Sequence, residues 1–133
     1  MQNPLLLDIV TFLTNLGVVK GDGIDTFRDF TPEEPDNLVA LIEYTGNPVV
    51  PYETATHRSV QVSCRDKSAD AARRKALEVF KTFQNGMDES SRVDFTAERW
   101  GQMYLRQTPY RLSTDASDRV TYAFNIGITT TIE

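Results

Sequence analysis

Ser59-Val60-Gln61-Val62-Ser63-Cys64-Arg65 runs through Asp66-Lys67-Ser68 into a stretch from Ala69 to Gln84, and across that break the apolar spacing changes from two to about 3.6. One strand therefore feeds one helix. Val60, Val62 and Cys64 fall on one face of the strand, with Ser59, Gln61, Ser63 and Arg65 on the other, the pattern of a strand buried on one side only. Ser68 is suited to cap the helix, and Asp70 places negative charge in the first turn, where the backbone dipole favours it. Ala72, Ala76, Val79, Phe80 and Phe83 form an apolar stripe, while Arg73, Arg74, Lys75, Glu78 and Lys81 occupy the remaining surface. Asn85-Gly86 is expected to end the helix, with Gly86 in the left-handed position past its C-terminus. Every one of these features serves packing.

Toward the N-terminus, Asn3-Pro4 opens a second helical pattern, with Leu5, Ile9, Phe12, Leu13 and Leu16 on one face as far as Gly17. Lys20-Gly21-Asp22-Gly23 has the look of a phosphate loop but lacks the Gly-Lys-Ser/Thr ending and the preceding strand, so it reads as a turn. Asp22, Asp25 and Asp29 do not have calcium-loop spacing. Phe27 to Phe30 suggests a short extended piece, and Pro32 and Pro35 keep Thr31 to Asn37 out of regular structure. Leu38 to Tyr44 is almost continuously apolar, which predicts a central strand beside Val60 to Arg65. Thr45 to Arg58, with Gly46, Pro48, Pro51 and the only histidine, His57, reads as a long exposed loop and a contact arm. Thr45 to Arg58 and Asn85 to Ser91 are expected to be mobile in the isolated subunit and to become ordered on assembly.

Toward the C-terminus, Val93 to Phe95 suggests a short extended piece and Trp100 to Gln107 a strand ending before Pro109. Thr114 to Asp118 is a turn, and Arg119 to Ile132 is the clearest strand, with Val120, Tyr122, Phe124, Ile126 and Ile128 on one face. The order predicts an α+β fold: a mainly antiparallel, four-stranded or slightly larger sheet with two helices packed on one face. At 133 residues the chain fits a single domain spanning 1–133 with one core.

Fourteen Lys+Arg against 19 Asp+Glu give a formal net charge of −5, which argues against a dedicated nucleic-acid binder and against an anionic membrane as partner. Met1-Gln2-Asn3-Pro4 lacks the basic start of a signal peptide, and no apolar run is long enough for a membrane span. A single cysteine, Cys64, rules out an internal disulfide framework and a cysteine-based metal cluster. A hydrolytic triad needs an imidazole, and His57 has no nucleophile-elbow motif to serve. Glu33-Glu34, between prolines, reads as solvated charge. No catalytic, cofactor-binding or metal residue is assigned. The exposed charges Glu33, Glu34, Asp36, His57, Arg58, Arg65, Arg73, Arg74 and Glu78 are the candidate interface residues.

Pro35-Asp36-Asn37-Leu38-Val39-Ala40-Leu41, then Gly46 and Pro48, then Val60-Gln61-Val62 with Arg65, then the helix bearing Ala71, Ala72, Lys75 and Ala76, resembles the tail terminator proteins of long-tailed bacteriophages, relatives of which are described as minor capsid or head-tail joining proteins. The resemblance follows the order of elements over most of the chain, from the first helix to at least Gly86, and is weaker from Arg92 onward. It implies a non-enzymatic virion protein of the neck that forms a homo-oligomer, a hexameric ring, caps the tail tube, contacts the major tail tube protein and docks to the head-side connector protein. It further implies assembly in the bacterial host cytoplasm and DNA passing through the ring without specific binding. Another neck protein, a head-completion or connector subunit, is the alternative within this class; a small α+β enzyme or ligand-binding domain is the alternative outside it.

Overall fold

Residues 3–44 and 55–131 are described by the structure, a computed structural model. Helix α1 spans Leu5–Asn15 and α2 Ala69–Gly86; the strands are β1 (Thr26–Arg28), β2 (Leu38–Tyr44), β3 (Ala55–Asp66), β4 (Arg92–Asp94), β5 (Trp100–Leu105), β6 (Tyr110–Thr114) and β7 (Val120–Thr131). β3 and β7 pair antiparallel along their whole length, from Ala55 opposite Thr131 to Asp66 opposite Val120. Around this pair the order is β1-β2-β3-β7-β5-β4, with β6 also on β7.

The fold is α+β as expected, but the sheet is larger than four strands and mixed, because β1 runs parallel to β2. β5 pairs with the second half of β7 and β6 with its first half, so the two are successive segments of one interrupted arm. Pro109, which has no N–H to give, stands at the interruption. Arg106 N–H still donates to the Asn125 carbonyl, and the Gln107 side-chain oxygen accepts from Asn125 N–H where the ladder fails. The sequence reading stops a strand before Pro109 and misses its continuation as β6.

Val39, Leu41, Val60, Val62, Cys64, Phe124, Ile126 and Ile128 make the buried floor, and both helices lie on this one face. Phe12 stacks on Phe83 at 6.0 Å and meets Phe95 edge-on, while Phe124 meets Phe80 and Phe83 edge-on, so one aromatic chain links both helices to β7. In α1 the buried positions include Asp8, whereas Leu16, expected in the stripe, is exposed. In α2 the Ser68 hydroxyl accepts from Ala71 N–H, as expected of the cap. The other end differs: Gly86 is the last helical residue and the cap position is Met87, in extended conformation. Glycine is needed there for space, since a Cβ would stand 2.9 Å from the Phe12 ring.

β3 corrects two further expectations. It begins at Ala55, so His57 and Arg58 lie in a strand; the rest of the expected loop, residues 45–54, falls outside the described residues. Its second face is not open either: Ser59, Ser63 and Arg65 are buried. The Ser63 hydroxyl donates to the Ala40 carbonyl, Ser59 accepts from the Arg106 guanidinium, and Arg65 is covered by the segment from Pro32 to Asp36.

Candidate interaction surfaces

Arg65, 7% exposed at the end of β3, donates through Nη2 to the carbonyls of Pro32, Glu33 and Pro35, and through Nε to that of Asp36. Carbonyl oxygens of an irregular segment have no ladder partners, and one guanidinium satisfies several at once. Arg119, 4% exposed at the foot of β7, donates to the Glu33 carbonyl and pairs with the carboxylates of Glu33 (3.1 Å), Asp36 (3.5 Å) and Asp115 (2.8 Å). The two arginines thus clamp the segment onto the sheet and leave the Glu33 side chain 81% exposed. Glu34 is exposed. Burial and the neighbouring Arg119 charge lower the pKa of Arg65. Burial also acts to lower that of Arg119, but hydrogen bonding and the charges of Asp115, Glu33 and Asp36 outweigh it, so the net direction is upward.

Asp115 is held below the usual carboxylate range first by the Arg119 N–H, then by the Ser117 N–H and the Arg119 guanidinium, against burial. A carboxyl group whose folded pKa is depressed contributes its stability fully above the unfolded value, near about 3.9 for Asp, and loses it as pH falls through the folded pKa. The 115–119 turn and the clamped segment should therefore loosen below about pH 4. Amide chemical shifts of Glu33 and Ser117 should show an acid transition that Asp115→Asn removes; an unchanged transition in that variant would refute the assignment.

The remaining candidates lie apart from this clamp. Arg73 and Arg74 are exposed on α2 and pair with Asp70 at 3.1 and 2.7 Å, and Glu78 faces Lys75 at 3.3 Å, the solvated ion pairs expected of that face. Arg58 pairs with Glu43. His57 is exposed and its Nδ1 lies 2.6 Å from the Thr129 hydroxyl oxygen. The structure therefore brings Glu33, Asp36 and Arg65 together, sets Arg73, Arg74 and Glu78 on α2, and leaves His57 and Arg58 at the other end of β3. Among the described residues no group of three or more His, Cys, Asp and Glu could hold a metal. Cys64 is buried in the core and burial pushes its thiol up to about 12.

Sequence reasoning missed Arg119, Asp115 and the aromatic pair Phe27–Phe30, whose rings meet edge-on at 5.8 Å beside β1. The Asp115-to-Arg119 spacing across a turn was the available signal for the first two.

Buried arginines thus fix one surface segment and join α1 to the sheet, and most of the other charges face solvent. The bacteriophage tail terminator family model matches residues 12–132, and the chain belongs to that family. It is accordingly a structural component of a phage tail, and hence of a virion. A search of curated proteins finds no match. Among the described residues no helix is long and apolar enough to cross a membrane.

Proposed function

We infer that this protein is a non-enzymatic subunit that caps the phage tail tube as a ring of six, terminates tail polymerisation, and joins the tail to the head-side connector after assembly in the host cytoplasm. The family match over nearly the whole chain carries this reading. A closed ring needs two different patches per subunit, and the clamped acidic segment and the basic face of α2 are two such patches. The net charge of −5 suits a ring through which DNA slides, since walls that do not neutralise phosphates do not grip them. Electron cryomicroscopy of purified tails tests the reading. Six copies are expected at the head-proximal tip in contact with the major tail tube protein; absence from that tip, or a single copy there, would refute it.

A further inference from the structure

We propose that the segment from Thr31 to Asp36 is an autoinhibitory strap: with its own carbonyls and carboxylates it occupies a two-arginine site, where β3 ends and β7 begins, that an acidic segment of a partner protein takes over when the strap lifts. Such a site lies beneath the segment and exists whether or not the subunit forms a ring. Not one residue from Asp29 to Asn37 is buried, and no main-chain-to-main-chain hydrogen bond holds residues 31–36. Only the flanks are fixed by the backbone, Asp29 through its N–H on the Leu41 carbonyl and Leu38 through its pairing with Arg65. A stretch between two fixed ends that buries no apolar side chain opens by itself, at a small fraction of the cost of unfolding the sheet.

What holds the strap is the pair of guanidiniums. Arg65 reaches the carbonyls of Pro32, Glu33, Pro35 and Asp36 at between 2.7 and 3.3 Å, Arg119 reaches the carboxylates of Glu33 and Asp36, and both arginines converge on one oxygen, the Glu33 carbonyl. The one further tie is Lys67 to Asp36 at 3.4 Å, between exposed side chains. With the strap lifted, Asp115 still pairs with Arg119 at 2.8 Å, but Arg65 keeps no hydrogen-bond partner. Two adjacent guanidiniums then share one carboxylate, which leaves a positive site that takes an anion through charge-assisted bonds. The present occupant shows which kind. Neutral carbonyls on Arg65 beside carboxylates on Arg119, all from one short stretch, are the chemistry of an acidic peptide and not of a row of phosphates. The net charge of −5 also works against a nucleic acid as the ligand.

The test is labelling of arginines in the full chain with phenylglyoxal, read residue by residue by mass spectrometry. Arg99 is the internal reference, because it is buried in its ion pair with Asp8 and lies under no strap. Arg65 and Arg119 are expected to react together, about tenfold or more faster than Arg99, at a rate that low urea leaves unchanged because opening exposes little surface. Glu33→Gln with Asp36→Asn should speed both about tenfold, the loss of two exposed ion pairs together, with the circular-dichroism spectrum unchanged because both side chains lie at the surface. In that variant a short polyglutamate peptide should slow the labelling of Arg65 and Arg119 severalfold, and potassium chloride of equal ionic strength should not. Labelling of either arginine as slow as that of Arg99 would overturn the strap. Labelling that polyglutamate leaves unchanged, or that a DNA oligonucleotide slows more than polyglutamate does, would overturn the acidic-peptide site.

Discussion

Asp8→Ala is expected to destabilise the subunit by about 3–5 kcal/mol, the usual cost of removing one partner from a buried ion pair. Asp8 is 2% exposed on α1 and Arg99 1% exposed before β5, with Arg99 Nε 2.6 Å from Asp8 Oδ2. The guanidinium also donates to the Asn3 carbonyl and to the Thr130 hydroxyl, which in turn donates to the Trp100 carbonyl. One arginine therefore joins the start of α1, the entry to β5 and the end of β7. Removing its carboxylate strands a charge where water cannot reach it, whereas replacing both partners by apolar groups of similar size removes the charge as well. Asp8→Leu with Arg99→Met should accordingly recover most of the loss. Urea unfolding decides it: a loss below about 1 kcal/mol for Asp8→Ala would show that the pair is not holding the helix.

The ion pair also shows where a sequence stops being legible. Asp8 and Arg99 are 91 residues apart, and neither breaks a local pattern strongly enough to announce the other. Patterns confined to one element were legible: Val60, Val62 and Cys64 on one face, the Ser68 cap, the alternation from Val120 to Ile128, and the beds of Ala72, Ala76, Val79 and Phe83. Where a residue's role is set by a distant neighbour, local rules misled. Gly86 looked like a helix stop, but it is small because Phe12 crosses there. Arg65 looked like an exposed strand residue, but the segment from Pro32 to Asp36 folds over it. The interface candidates fared in the same way. Their charge was readable, but the division between clamp, α2 face and β3 end depends on long-range packing.

Phe83→Ala is expected to cost about 3–5 kcal/mol, a large part of the roughly 5–15 kcal/mol that holds a domain folded. Phe83 is fully buried on α2, stacked on Phe12 of α1 and edge-on to Phe124 of β7 at 6.2 Å. Its removal takes away the transfer free energy of a whole ring and opens a cavity between two helices and a sheet. Collapse into that cavity is limited, because Phe12 is held on its other side by Phe95 and by the close approach of Gly86. Phe83→Leu keeps an apolar side chain in the site and should cost less than half as much, which separates loss of packing from any change in helix propensity, since Ala and Leu are both good helix formers. Thermal unfolding of the two variants measures this. Equal losses for Ala and Leu would mean that the stacked geometry, and not the filled volume, is what Phe83 supplies.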